Sequence, residues 1–197
     1  MTFALDKRWM LIGLAVVVLV IQISYPEQWT IVWLPAVFTA IVLLLYRNEL
    51  RRFDWNMMRK KTFWEAVFFA VTQGMIAQAA GIVILQYGLH VQPIELAFDV
   101  TIGVAFSVVI CSAILEELVY RKSVFGWLKT KIQFWPAAVV SSLLFAAAHA
   151  NYAAALGYFL LGLVWCRSYE KSGTIAVPIA AHMIFNAISL IVIPLRG

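Results

Sequence analysis

The sequence predicts an all-α protein, a polytopic membrane bundle of about seven transmembrane helices. Three observations lead there. Of the 197 residues 63% are hydrophobic and 13% charged, with a mean hydropathy of +0.88, whereas ordinary soluble domains run near ~45–50% and ~25%. Apolar runs approaching the ~20 residues that a helix needs to cross a ~30 Å hydrocarbon core recur along the chain. The basic residues gather in alternate connections, as the positive-inside rule requires. Together these exclude a water-soluble globule, a disordered tail and a nucleic-acid-binding domain.

The first span is Trp9–Ser24. Lys7 and Arg8 precede it as in a signal peptide, but Ile21 to Tyr25 offers no small-residue cleavage site, so it reads as a retained helix. Trp29–Tyr46, Phe63–Tyr87, Val100–Trp127, Trp135–Ala150, Tyr152–Cys166 and Thr174–Leu195 follow. The first, fifth and sixth runs are short. Trp9, Trp29, Tyr46, Trp64, Tyr87, Trp127 and Trp135 stand near span ends, as interfacial aromatic belts do. Pro26 and Pro93 fall in connecting turns; Pro35, Pro136 and Pro178 fall in opening turns, where a missing N–H costs least. Cys111 and Cys166 lie inside apolar runs and read as small packing residues.

Lys7 and Arg8, the cluster Arg47, Arg51, Arg52, Arg59, Lys60 and Lys61, then Lys122, Lys129 and Lys131, then Arg167 and Lys171 all fall on one side if the N-terminus is cytoplasmic. Glu27, His90, Glu95 and Asp99 occupy the outer loops, with Arg196. The net charge of +5 thus reports topology. The linker Arg47–Lys61 could also lie along an anionic leaflet. The expectation is a multi-pass integral membrane protein with a cytoplasmic N-terminus. Residues 1–197 form a single transmembrane domain, with 1–61 contributing two peripheral spans almost devoid of polar groups at depth.

Ionisable side chains inside a bilayer are costly, so each is a functional-site hypothesis. Here they are Glu116, Glu117 and Arg121 in the fourth span, His149 at the end of the fifth behind Phe145, and His182 with Asn186 in the seventh. If spans four and five form an antiparallel hairpin turning near Ile132, Glu116 and His149 both lie about 25 Å along their helices from the turn, at ~1.5 Å per residue. His182 and Asn186 lie roughly 12–18 Å in from Thr174 on one helix face, so a tilted or broken helix is needed to level them with the pair. Glu117 and Arg121 are i,i+4 with the acid first, the favourable order for an ion pair. Glu116 projects about 100° away and faces Tyr120 at i+4 instead of a cation. Desolvation of such an unpaired carboxyl makes it a stronger base once ionised. Glu116 is therefore the candidate base.

At these residues the sequence resembles the CAAX-processing and bacteriocin-processing (CPBP) family of intramembrane endopeptidases. That family carries Glu-Glu-x-x-x-Arg, then Phe-x-x-x-His, then His-x-x-x-Asn. Glu116-Glu117…Arg121, Phe145…His149 and His182…Asn186 match in order and spacing over a core of residues 98–190. Lys122 stands where family members usually carry Gly. The resemblance implies hydrolysis of a peptide bond in a membrane-associated protein or peptide. Glu116, supported by Glu117, would activate a water, and His149 would hold it or shuttle a proton. His182 and Asn186 would donate to the oxyanion, with Arg121 and Phe145 in support. An older family reading is a metalloprotease, with zinc on Glu116, His149 and His182; the metal-free form is preferred because no His-Glu-x-x-His pair presents ligands from one helix.

Two other classes compete. A non-catalytic scaffold or immunity protein would bind a peptide without cutting it, and a proton-coupled transporter would use buried Glu and His as a relay. The absence of detectable paired halves weakens the second.

Overall fold

The computed structural model describes residues 7–25, 27–92 and 101–192. Pro26, Pro93, Glu95, Asp99, Val100, Leu195 and Arg196 lie outside them. Helices α1 (Lys7–Ser24) and α2 (Gln28–Leu45) are followed by a short α3 (Arg47–Arg52) and a 3₁₀ turn at Trp55–Arg59. Helix α4 runs Lys61–Gly88 and α5 Ile102–Leu128. Helices α6 (Phe134–Ala148), α7 (Ala155–Ser172) and α8 (Ala176–Val192) complete the chain, and no strand occurs among the described residues. The protein is an all-α bundle, as the sequence predicts.

Helix α5 is the axis. On one side, Leu11 of α1 and Val42 and Tyr46 at the end of α2 pack against Leu115, Leu118 and Val119. Elsewhere in the bundle, Phe63 and Val67 of α4, Phe145 of α6, Leu161 and Trp165 of α7 and Ala181 and Phe185 of α8 form a second core. The close approach of α4 to α7 depends on glycine: a Cβ on Gly81 would lie 2.3 Å from the Gly157 backbone nitrogen. Cys111 and Cys166 are free and buried.

Much of the outer surface is apolar. Val16, Val20, Trp33, Leu44, Phe68, Ile76, Leu143 and Leu144 are among the exposed large side chains, a display that a water-solvated monomer avoids and lipid accepts. Among the described residues α4 and α5 are long and apolar enough to cross a membrane, and Trp29–Leu45, Phe134–Ala148 and Ala176–Val192 are shorter apolar helices. The basic residues meet at one end of the bundle: Lys7 pairs with Glu49 at 2.8 Å, and Lys129 with Glu170 of α7.

Three local expectations need correction. Pro35 sits in the eighth position of α2, not its opening turn. The Ile31 carbonyl, which Pro35 cannot bond, accepts instead from the Ser107 hydroxyl at 2.7 Å. Helix α7 is not a short span ending at Cys166. It continues through Arg167 and Lys171 to Ser172 and stops at Gly173, whose φ of 65° is the left-handed conformation that closes helices. Tyr46 is no belt residue; it is buried under the ammonium groups of Lys7 and Lys122, 5.5 and 4.3 Å from its ring. Trp127 meets Trp9 edge to face at 5.3 Å.

Helix α5 is also not a regular α-helix. It widens into π-turns at Ser107–Ser112 and Glu117–Phe125. Such turns free carbonyls from the regular ladder and cluster at functional sites. Here neighbours satisfy them: Thr39 of α2 donates to the Cys111 carbonyl at 3.0 Å, Asn186 of α8 to the Val108 carbonyl at 3.0 Å, and Ser141 of α6 to the Tyr120 carbonyl at 2.7 Å.

Candidate active site

The site forms where α5 changes from α-turns to its second π-turn, between Glu116 and Glu117. The two side chains diverge. Glu117 is wholly buried; its Oε1 lies 3.2 Å from Arg121 Nη1 and accepts from His182 Nδ1 at 2.9 Å. Arg121 is equally buried, with its guanidinium 4.2 Å from the centre of the Phe145 ring and Nη2 donating to the Gly162 carbonyl at 3.4 Å. A buried cation of this kind is tolerable only when carboxylate, carbonyl and aromatic face share it. The ion pair read from the i,i+4 spacing is present, and it also carries a histidine.

Glu116 is 26% exposed at its side chain, and its Oε2 stands 3.9 Å from His149 Nε2 and 3.8 Å from His182 Nε2. That oxygen makes no hydrogen bond within the protein. Both separations exceed hydrogen-bond range and are of the size that one shared water spans. The other ring nitrogens are committed. His149 Nδ1 faces the Phe145 carbonyl at 2.8 Å, and a carbonyl can only accept, so Nδ1 carries the hydrogen. Neutral His149 then presents a lone pair at Nε2. His182 Nδ1 likewise donates to Glu117, so its Nε2 can donate only when the ring is an imidazolium.

Both imidazoles are held by aromatic rings. Tyr158 stacks on His149 at 3.9 Å and 25°, and Trp165 on His182 at 5.8 Å and 26°. Phe145 touches the site from a third direction, 4.6 Å from His149 and 6.0 Å from His182. Helix α6 ends at His149 itself, and the next residue, Ala150, has φ 48°, a conformation non-glycine residues rarely adopt. The turn fixes His149 at the helix end.

The structure thus brings Glu116, Glu117, Arg121, Phe145, His149 and His182 together. Asn186 lies one turn beyond His182 and spends its Nδ2 on the Val108 carbonyl of α5. Sequence reasoning missed Tyr158 and Trp165. With Leu161 and Gly162 they follow the i, i+3, i+4, i+7 pattern of one helix face, which is the signal that could have found them. Gly162 also allows contact: a Cβ there would lie 2.8 Å from the Ser142 hydroxyl oxygen.

Beside Glu116 lies a cavity of about 110 Å³, lined on α5 by Ser112, Leu115, Val119 and Tyr120, with His149 closing one side. A water needs only ~10–15 Å³ of such space and two or more polar partners; Glu116 and His149 supply them. For a zinc ion, ligand atoms must converge to ~2.0–2.2 Å of the metal. Among the described residues no group of three or more His, Cys, Asp or Glu side chains is set to hold a metal ion.

Sequence comparisons find similarity to membrane peptidases. The model of the family described as type II CAAX prenyl endopeptidase Rce1-like matches residues 98–188. The candidate membrane peptidase YdiL of Bacillus subtilis (strain 168) is 26% identical over 171 residues, covering 83% of this chain and 70% of that protein. The membrane-embedded CAAX protease MroQ of Staphylococcus aureus (strain USA300) is 38% identical over 92 residues, covering 44% of this chain and 37% of that protein. No solved structure matches. Residues 98–188, which supply every motif side chain of the site, are the segment similar to the Rce1-like CAAX prenyl endopeptidase family.

Proposed function

We propose that this chain is an intramembrane endopeptidase that cleaves a membrane-anchored protein or peptide through a water activated by Glu116, without a metal. The observation that carries the proposal is the convergence of both histidine Nε2 atoms on the unbonded Glu116 Oε2, at 3.8 and 3.9 Å. A water bridging these atoms loses a proton to Glu116 as its oxygen attacks the carbonyl carbon. The lone pair at His149 Nε2 orients that water and can relay the proton. His182, held at Nδ1 by Glu117, turns Nε2 toward the reacting carbonyl and donates to the oxyanion when both ring nitrogens carry hydrogen. Such donors count most where water is scarce and the local dielectric low. Collapse of the tetrahedral intermediate breaks the C–N bond, and the proton held by Glu116 passes to the leaving amine. Asn186, one turn away, keeps a second amide hydrogen for the oxyanion while holding the π-turn.

The shared basic end of the bundle supports a cytoplasmic N-terminus in a bacterial plasma membrane. The names of the relatives support a substrate tethered to the membrane, either by a lipidated C-terminus or by a hydrophobic leader or sorting tail. The purified protein, dialysed against a chelator until metal analysis finds no zinc, is expected to cleave a palmitoylated peptide in lipid vesicles, and Glu116→Gln is expected to lose at least a hundredfold in rate, a general base contributing ~10²–10⁴. Activity restored only by zinc would establish the metalloprotease. Equal function of wild type and Glu116→Gln in cells would establish a binding protein.

A further inference from the structure

The cavity has a second wall that contributes none of the motif residues. Ala15, Val18, Leu19 and Gln22 of α1 line it opposite Glu116, Tyr120 and His149, with Pro35 of α2 beside them. Their spacing is i, i+3, i+4 and i+7, so one face of α1 is turned to the site. The opposite face, Val16, Val17 and Val20, is exposed to the surroundings. The anchorage of α1 lies toward its start: the Lys7–Glu49 pair, the Trp9–Trp127 contact and the fully buried Leu11. Its later turns make the cavity wall. That wall also lies outside residues 98–188, the segment that matches the endopeptidase family.

We infer that this face of α1 is the specificity wall for the substrate residue adjoining the cleaved bond, with Val18 and Leu19 setting the largest side chain admitted and the Gln22 amide hydrogen-bonding the substrate backbone. The assignment rests on the endopeptidase reading and adds the element that selects. Three features argue for it. The wall faces the base across a space of about 110 Å³, smaller than the ~150 Å³ cavity that takes up benzene, so it excludes a large aromatic side chain. Val18, 5% exposed, is turned inward to the cavity lining while Val16, Val17 and Val20 face outward. Gln22 is the one polar member of this face, and a carboxamide offers both the donor and the acceptor that an extended peptide backbone needs.

Palmitoylated dodecapeptides, varied one position at a time through Ala, Val, Leu, Phe and Trp, are incubated with the protein in phosphatidylethanolamine–phosphatidylglycerol vesicles, and products are read by mass spectrometry. Wild type is expected to disfavour Phe and Trp next to the cut. Leu19→Ala and Val18→Ala are expected to shift that preference toward the larger residues by about tenfold or more, the usual worth of a few methylenes in a pocket. Gln22→Leu is expected to lower kcat/KM for all peptides alike. An unchanged size profile in Leu19→Ala overturns the assignment. A second measurement does not need turnover: in the inactive Glu116→Gln protein, a peptide carrying the diazirine photo-leucine next to the cut is expected to crosslink to residues 15–22. Crosslinks confined to other helices overturn the wall whatever the activity, whereas absence of cleavage by wild type counts against the endopeptidase itself.

Discussion

Glu116 and Glu117 are neighbours in sequence and opposites in environment. Glu117 is sealed from solvent, with its Oε1 held between Arg121 at 3.2 Å and His182 at 2.9 Å. Glu116 borders a cavity, and its Oε2 has two imidazoles near it but bonds to neither. One helix therefore carries a buried charge network on one side and a carboxylate facing a cavity on the other. A rotation of about 100° along the helix separates the two environments. The difference teaches that a repeated acidic residue need not be redundant: the buried acid holds His182 Nδ1, and its neighbour faces the cavity.

Breaking the buried side should cost most. Arg121→Leu leaves Glu117 without its cation in the interior, and losing one partner of a buried pair costs about 3–5 kcal/mol. Unfolding measured by denaturing detergent should show that loss. The double variant Glu117→Gln/Arg121→Leu sharpens the point. With no charge left to bury, it should recover at least ~1 kcal/mol relative to Arg121→Leu, because residues of one network couple by about 0.5–3 kcal/mol; strict additivity in the same assay would show the pair to be unimportant. Smaller again is Asn186→Leu, which strands the Val108 carbonyl of the π-turn and should cost about 1–3 kcal/mol in that measurement.

The open side should respond in rate before stability. Tyr158→Leu removes the ring stacked on His149 and should slow cleavage about two- to tenfold, the equivalent of the ~0.5–1.5 kcal/mol of an aromatic pair, while Tyr158→Phe keeps near-normal turnover. A phenylalanine variant as slow as the leucine one would move the role from the ring to the hydroxyl.

The helical bundle and most of the site were legible in the sequence because a bilayer makes polar residues conspicuous. Glu116, His149 and His182 stand out against apolar runs, and the hairpin near Ile132 follows from equal residue counts on either side. What escaped depends on contacts that spacing does not carry. The π-turns of α5 have no residue signature; they rest on Thr39, Ser141 and Asn186 arriving from three other helices. Arg121 lying on Phe145 requires the relative rotation of α5 and α6, which neither motif specifies alone. The extent of α7 was hidden because charged residues end an apolar run without ending a helix; Gly173 was the true stop signal.

The division between the two glutamates is tested most directly by measuring Glu116→Gln and Glu117→Gln side by side, for peptide cleavage in vesicles and for detergent unfolding. Glu116→Gln should unfold as wild type does and cleave at least a hundredfold more slowly, whereas Glu117→Gln should lose both stability and rate. Turnover by Glu116→Gln at the wild-type rate, or a Glu117→Gln protein as stable as wild type, would contradict it.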